Sequence, residues 1–125
     1  GVKVLVIGRG MTVGRPLSIL LSQKPINATV TLAHSASKNL TELIKDADVV
    51  IAAMGSAHFI KAETVKKGSV LVDVGITRDG NQLVGDFDPK VIEVATAFAP
   101  MPGGVGPMTR VMLLKNVIDL ARNEK

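Results

Sequence analysis

The sequence predicts an α/β fold in which helices cover both faces of a doubly wound, mainly parallel sheet of about five strands. Three observations favour this fold class. Short apolar runs alternate with segments of helical periodicity along the chain. The connections between them are short, as in βαβ crossover units. Glycine-rich segments follow the predicted strands, at the edge where such sheets bind ligands. The length of 125 residues predicts one domain, residues 1–125.

The first half of the chain alternates strands and helices. Apolar runs predict three strands, at residues 2–8, 29–33 and 49–53. Residues 13–23 carry leucines at helical spacing, and Pro16 lies in the first turn, where its missing N–H costs little. Asn39 and Glu42 have the spacing of a capping box, which predicts that a second helix begins there.

The second half contains more turns. Asp79-Gly80 lies between two strand-like segments, which is a strong hairpin signal. Asp88 followed by Pro89 predicts the capped start of a short helix. The other predicted elements are a short helix over 61–67 stopped at Gly68, strands over 69–74 and 95–99, a short helix over 89–94 and a last helix from Met108 to Asn123. Together these elements predict a Rossmann-like fold.

Composition narrows the function. Apolar residues make up 46% of the chain with only three Phe and no Tyr or Trp, so the core must be aliphatic. The absence of cysteine excludes disulfides, thiolate metal sites and thiol catalysis, and no metal site is expected. The net charge of +4 comes from scattered Lys and Arg without Tyr or Trp for base stacking, so no nucleic-acid partner is expected. No apolar run approaches the roughly 20 residues of a membrane span. The chain also opens directly into a strand rather than a signal peptide, so no membrane contact and a cytoplasmic location are expected.

The first glycine cluster follows the first strand. Gly8, Gly10 and Gly14 have the spacing G-x-G-x-x-x-G, one residue longer than the usual dinucleotide-binding pattern. Gly10 would let phosphate oxygens approach the main chain, and the helix that starts near Gly14 would offer free N–H groups to a pyrophosphate. A tight turn without a ligand is an equally good interpretation of this cluster alone.

The segment after the second strand favours NADP over NAD. An NAD site normally has Asp or Glu there to hold the ribose hydroxyls, whereas this chain has His34-Ser35-Ala36-Ser37-Lys38. Arg9, in the first glycine cluster, should lie nearby, and a guanidinium suits a 2′-phosphate. The alternatives are a loop histidine bonded to backbone for His34 and solvated charge for Arg9 and Lys38.

The second glycine cluster, residues 102–109, holds three glycines and two prolines just before the last helix. Such a loop predicts a rigid surface on which a flat ligand can lie against main chain. The apolar residues of the last helix cover about half of its circumference, by helical-wheel geometry. This width indicates a second contact, with a missing domain or another subunit; the alternative is a helix tucked deeply into this domain. The hairpin at Asp79-Gly80 offers an edge for dimer pairing.

Several motifs, in this order, resemble the FolD-type family, the bifunctional methylenetetrahydrofolate dehydrogenase/methenyltetrahydrofolate cyclohydrolases. The resemblance covers essentially the whole chain, but only that family's C-terminal cofactor-binding domain. It rests on Gly8-Arg9-Gly10, Val13-Gly14-Arg15-Pro16, His34-Ser35, Asp73-Val74-Gly75-Ile76, Val84-Gly85-Asp86 and Pro102-Gly103-Gly104-Val105-Gly106-Pro107-Met108-Thr109.

The resemblance implies that particular residues bind NADP. Gly8, at the end of the first strand, belongs to the same glycine-rich turn as Arg9 and Gly10. The adenosine ribose and its 2′-phosphate would be bound by Arg9, His34 and Ser35. The pyrophosphate turn would be Thr12, Val13 and Gly14. Main-chain contacts to the nicotinamide end would come from Ala53, Val74 and Ile76. The loop between nicotinamide and folate would contain Gly103, Gly104 and Thr109. Two departures stand out: Gly10 replaces a common Ser, and Ala57 replaces a common Pro before His58, which we expect to be an exposed loop histidine.

The resemblance also implies an activity in one-carbon folate metabolism, and through it in purine biosynthesis. The family oxidises 5,10-methylenetetrahydrofolate by hydride transfer to NADP⁺ and then hydrolyses the methenyl product. Its hydrolytic step relies on a lysine and a tyrosine of an N-terminal folate-binding domain. That domain is expected to be missing here, because the first strand starts at Val2 and the chain has no tyrosine.

We therefore expect no catalytic residue in this chain, NADP binding with little or no turnover, and a homodimer as in the family. Tetrahydrofolate would be bound through the missing domain of a full-length enzyme. The alternatives are the cofactor domain of another NADP-dependent reductase, such as shikimate or glutamyl-tRNA reductase, and a non-catalytic nucleotide-sensing or oligomerisation module.

Overall fold

The computed structural model describes residues 1–123. Strands and α-helices follow one another as β1 (Lys3–Ile7), α1 (Gly14–Ser22), β2 (Thr29–Ala33), α2 (Leu40–Asp46), β3 (Val49–Ala52), β4 (Val70–Asp73), β5 (Thr77–Asp79), β6 (Gln82–Val84), β7 (Ala97–Ala99) and α3 (Val105–Asn123). Two short 3₁₀ turns are also present, Ala62–Thr64 and Pro89–Glu93. The helices expected over 61–67 and 89–94 are therefore shorter and of the tighter type.

Five strands form one sheet in the order β2-β1-β3-β4-β7, and every neighbouring pair is parallel. The chain moves from β1 to one side to form β2 and returns to the other side to form β3, so the strand order reverses beside β1. This is the arrangement of a doubly wound Rossmann-like sheet, and it confirms the predicted fold class. A ligand cleft is expected at the carboxyl ends of β1 and β3.

The central strands are apolar at successive positions, and successive side chains point to opposite faces of a sheet. Both faces therefore carry apolar side chains. On one face, central-strand side chains such as Leu5, Val50 and Leu71 pack with Ile44 of α2. On the other face, Val4, Val6 and Ile51 pack against the leucines of α1. The aliphatic core expected from the composition is therefore divided into two layers, with α1 and α2 on opposite faces.

Of three predicted local features, a hairpin and a helical cap are confirmed and a capping box is wrong. The hairpin around Asp79-Gly80 forms, with β5 and β6 antiparallel. Asp88 caps the turn that follows it, because its carboxylate accepts a hydrogen bond from the Lys90 N–H at 3.0 Å. Asn39 adopts a left-handed conformation with φ of +56° and makes no side-chain bond to α2. The predicted capping box is therefore wrong, since an N-cap residue bonds the helix amides from an extended backbone.

The last helix begins at Val105, three residues before the predicted start at Met108. Pro107 lies in its first turn, where no N–H partner is needed, so the second half of the 102–109 segment is helical rather than a loop. None of the described residues of α3 is buried, and Leu114 is 65% exposed. The interpretation of a helix tucked deeply into this domain is therefore wrong. Within residues 1–123, no helix combines the length and the apolarity needed to cross a membrane.

Candidate functional site

Segments that follow four parallel strands meet at the carboxyl edge of the sheet and line two adjoining cavities. The first, called here the Arg9 cavity, has a volume of about 500 Å³ and is lined by Gly8, Arg9, Gly10, His34, Ser35, Ala53, Met54, Gly55, Ser56 and Phe59. The second, called the Ile76 cavity, has a volume of about 300 Å³ and is lined by Gly10, Thr12, Val13, Gly14, Ala53, Met54, Gly55, Val74, Gly75 and Ile76. The turn after β1 and the loop after β3 contribute to both cavities.

The turn between β1 and α1 is held by close backbone packing. Gly8 has φ of +120°, and its N–H donates to the carbonyl of Ala33 at 2.8 Å. A Cβ on Gly14 would overlap the carbonyl of Gly8, so only glycine lets α1 start so close to the turn. A Cβ on Gly10 would meet nothing within 4 Å, which leaves open space over the main chain there.

The first turn of α1 is electrostatically suited to an anion. Within residues 1–123, no side chain caps this end of the helix, and its first turn contains no acidic residue. The helix dipole adds a partial positive charge at the same place. Thr12, Val13 and Gly14, at this terminus, line the Ile76 cavity.

Arg9, His34 and Ser35 are brought together in the Arg9 cavity, although they follow two different strands. The Nδ1 atom of His34 accepts a hydrogen bond from the Ala36 N–H at 3.2 Å. The hydrogen-bond network therefore assigns the ring proton to Nε2, which is left to donate to a ligand. The backbone N–H of His34 donates to the Ser37 hydroxyl at 2.9 Å, which fixes the turn that carries the imidazole.

The loop after β3 is organised by a buried carboxylate from elsewhere in the chain. Asp86 is fully buried, and its side chain accepts hydrogen bonds from three successive N–H groups. The donors are Met54 at 2.6 Å, Gly55 at 3.3 Å and Ser56 at 2.6 Å. These three N–H groups therefore point towards Asp86.

A second buried carboxylate holds the segment that carries Asp86. Asp73, at the end of β4, accepts hydrogen bonds from the N–H groups of Asp86 at 2.9 Å and Phe87 at 3.1 Å. Burial raises the pKa of the Asp73 carboxyl above its ordinary value, and these two backbone bonds oppose that shift. Both aspartates lie in the motifs named above, but no role was predicted for either. The sequence signal for a packing role is that each lies beside or near a glycine, in Asp73-Val74-Gly75 and Gly85-Asp86.

Most of the residues predicted for the site line one of the two cavities; the exceptions are Gly103, Gly104 and Thr109. Thr109 lies on α3, where its hydroxyl donates to the carbonyl of Val105 at 3.1 Å. It lines a shallow, mostly apolar depression of that helix instead. Residues outside the predicted cofactor contacts also line the two cavities, namely Met54, Gly55, Ser56, Phe59 and Gly75.

His58 is half-buried rather than an exposed loop histidine, so that expectation is wrong. Its φ is +50°, and its N–H donates to the carbonyl of Gly85 at 3.0 Å. It lines a separate cavity of about 290 Å³, with Pro100, Met101 and Pro102 among its neighbours there. Among the described residues that line the Arg9 cavity, His58 is not included.

Comparison with known proteins identifies similar chains. Residues 1–125 match the family model for the tetrahydrofolate dehydrogenase/cyclohydrolase, NAD(P)-binding domain. The bifunctional FolD methylenetetrahydrofolate dehydrogenase/cyclohydrolase from Campylobacter jejuni is 38% identical with a TM-score of 0.94, and the match covers 100% of this chain and 44% of that one. A 5,10-methylenetetrahydrofolate dehydrogenase from the silkworm, Bombyx mori, is 39% identical with a TM-score of 0.92, over 99% of this chain and 46% of that one.

A third solved structure is similar to this chain and contains ligands. It is the N5,N10-methylenetetrahydrofolate dehydrogenase-cyclohydrolase (FolD) from Trypanosoma brucei, complexed with NADP cofactor and inhibitor. It is 36% identical with a TM-score of 0.90, over 99% of this chain and 44% of that one. The chain therefore spans less than half the length of these three proteins.

Proposed function

The chain belongs to the tetrahydrofolate dehydrogenase/cyclohydrolase family as its NAD(P)-binding domain, and from that premise we propose that it binds NADP across the Arg9 and Ile76 cavities. The observation that carries the choice of NADP is the meeting of Arg9, His34 and Ser35 in one cavity. None of the residues that line the Arg9 cavity within the described chain is acidic. The structure of the Trypanosoma brucei relative, complexed with NADP, supports the same choice.

Three parts of the cofactor have a matching group in this site. The guanidinium of Arg9 can form two parallel hydrogen bonds to the 2′-phosphate. The His34 Nε2–H and the Ser35 hydroxyl are further donors. The pyrophosphate fits the open space over Gly10 and the uncapped N-terminus of α1. The Ile76 cavity, which is lined largely by main chain and apolar groups, suits the flat nicotinamide ring.

We propose that the full-length protein oxidises 5,10-methylenetetrahydrofolate and hydrolyses the methenyl product, in one-carbon metabolism. When bound, NADP⁺ supplies the hydride acceptor. The residues of this chain would contribute positioning: the N-terminus of α1 and the Arg9 cavity would hold the cofactor by its phosphates, and the residues of the Ile76 cavity would hold the nicotinamide. Folate binding and hydrolysis are assigned to another part of the polypeptide, consistent with a chain that spans less than half of its relatives. This chemistry and the absence of cysteine favour a cytoplasmic location.

The exposed apolar face of α3 is proposed to pack against that other part of the polypeptide. From Met108 onwards, all but one of its larger apolar side chains are more than half exposed, and the exception, Met112, is 47% exposed; the others are Met108, Val111, Leu113, Leu114, Val117, Ile118 and Leu120. A face of this kind on a 19-residue helix is costly to leave in water. The β5–β6 hairpin is proposed as the pairing edge of a homodimer.

Calorimetric titration of this chain with NADP⁺, NAD⁺ and 2′-phospho-ADP-ribose tests the proposal. We expect NADP⁺ and 2′-phospho-ADP-ribose to bind and NAD⁺ to bind more weakly, because only the first two offer the 2′-phosphate. Equal binding of NADP⁺ and NAD⁺ would contradict the proposed role of the Arg9 cavity. A chain that ignored all three ligands would instead be a sensor of a different nucleotide or an oligomerisation module.

An assay of the same chain with 5,10-methylenetetrahydrofolate and NADP⁺ tests whether folate binding lies in another part of the polypeptide. We expect little or no reduction of NADP⁺, since the folate-binding part of the enzyme is assigned elsewhere. Ready turnover by the 125-residue chain would contradict that assignment.

A further inference from the structure

The side chain of Asp86 connects the two loops that form the Ile76 cavity. It accepts hydrogen bonds from the N–H groups of residues 54–56, in the loop after β3. A Cβ on Gly75, in the loop after β4, would overlap the same carboxylate, so this second loop packs directly against it. Asp86 itself does not line the Ile76 cavity within the described chain; it lies behind both loops.

The converging N–H groups of residues 54–56 form a concave anion site of the kind called a nest. The Asp86 carboxylate fills this nest, so the protein's own anion fixes the direction of three peptide groups. Hydrogen bonds from N–H groups to a charged acceptor are roughly twice as strong as those between neutral groups. The loop is therefore held in one conformation although two of its residues, Met54 and Ser56, are only half-buried and Gly55 is exposed.

The backbone that carries Asp86 is fixed on both sides. The carbonyl of Gly85 accepts from the His58 N–H at 3.0 Å, and the carbonyl of Asp86 accepts from the Ile60 N–H at 3.0 Å. The Asp86 N–H donates a hydrogen bond to the Asp73 carboxylate at 2.9 Å. A carboxylate on such a rigid segment sets the position of the loops that touch it, rather than following them.

We propose that Asp86 is a positioning residue for the cofactor: it sets the spacing of the loops after β3 and β4 and thereby the shape of the Ile76 cavity. This inference rests on the proposed NADP site. It goes beyond that proposal because Asp86 has no surface in either cavity and acts only through the backbone of other residues.

Asp86→Asn tests the proposal with nearly unchanged side-chain volume. An amide keeps one acceptor oxygen but turns an NH₂ group towards N–H donors, so the loop after β3 loses its single conformation. We expect the Kd for NADP⁺ to rise about tenfold, the factor that applies when about a tenth of the molecules keep the competent loop. Asp88→Asn is the matched control, because Asp88 lies two residues away and its carboxylate contacts Lys61 and Lys90 instead.

Two ligands separate positioning from a general loss of stability. NADP⁺ would reach the Ile76 cavity, whereas adenosine 2′,5′-bisphosphate would reach only the Arg9 cavity. Because the loop after β3 also lines the Arg9 cavity, we expect Asp86→Asn to weaken both ligands, and NADP⁺ more, since only NADP⁺ also reaches the loop after β4 in the Ile76 cavity. Asp88→Asn should leave both dissociation constants unchanged. An equal loss for both ligands, or no loss for either, would overturn the inference.

Amide hydrogen exchange tests the geometry without any cofactor, and its wild-type measurement needs no variant that must fold. The N–H groups of Met54 and Ser56 should exchange slowly, and Asp86→Asn should speed both. Rapid exchange of these two amides in the wild type would overturn the proposal. If the wild type bound no NADP⁺, the proposed function would be wrong, and with it the cofactor role of Asp86. Wild-type binding that Asp86→Asn leaves unchanged would remove the inference alone.

Discussion

The sharpest prediction concerns Arg9, which the structure brings into one cavity with His34 and Ser35. Arg9→Ala removes the guanidinium assigned to the 2′-phosphate and leaves the glycine turn around it intact. A hydrogen bond to a charged group contributes about 1.5–3 kcal/mol, and because water competes for the exposed Arg9 we assign the lower value to its two bonds together. Because 1.4 kcal/mol corresponds to a factor of ten, the Kd for NADP⁺ should rise about tenfold.

The assay is calorimetry with NADP⁺ and NAD⁺ on the wild type, on Arg9→Ala and on Lys67→Ala. Lys67 is a matched control, because it is an exposed cation that lines neither cavity. We expect Arg9→Ala to weaken NADP⁺ and to leave NAD⁺ unchanged, and Lys67→Ala to change neither. The difference should shrink at about 1 M salt, where charges are screened within about 3 Å. Equal losses for NADP⁺ and NAD⁺ in Arg9→Ala would refute the reasoning.

Three further predictions concern stability. Gly14→Ala, whose Cβ would overlap the carbonyl of Gly8, should lower the free energy of unfolding by about 1–3 kcal/mol, whereas Gly10→Ala should not; thermal melts of both variants check this. The N–H and ammonium groups around Asp88 hold the pKa of its carboxyl below its ordinary value, so its contribution is present above that value and lost as the pH falls through the folded pKa. Asp88→Asn and the wild type should thus differ in urea unfolding at neutral pH and converge in acid; a constant difference would refute this. Leu114→Lys should change the stability of this chain by less than about 0.5 kcal/mol, because Leu114 is 65% exposed, and a larger loss in denaturant unfolding would show that α3 packs on this domain.

The sheet could be predicted because its signal is local and strong. β3 is a continuous apolar run, and β1 is one after its exposed first residue, Lys3, so the places of both strands in the chain follow from that pattern. The start of α3 was predicted less well because Gly106 and Pro107 have low helix propensity. They are tolerated in the first turn, where few backbone bonds are needed. Asn39 has the residue type of a cap but not its conformation, which residue spacing does not reveal.

The location of the two cavities at the carboxyl edge of the sheet could be predicted. Parallel strands place their carboxyl ends together, so loops that are distant in sequence meet there. The role of Asp86 could not. Its bonds join residues 30 to 32 positions apart, and nothing local to Asp86 or to the loop after β3 indicates the partner. Gly103, Gly104 and Thr109 lie outside the lining of the two cavities, and their role between nicotinamide and folate stays a prediction. Thr109 lies on α3, which has no buried residue among those described.

A crystal structure of this chain with NADP⁺ bound is the most direct test of the assigned cofactor site. We expect the 2′-phosphate within hydrogen-bond distance of the Arg9 guanidinium and the His34 Nε2 atom, the pyrophosphate over Gly10 and the nicotinamide in the Ile76 cavity. A cofactor bound elsewhere on the chain, or bound at this edge with its 2′-phosphate away from Arg9, would contradict this assignment.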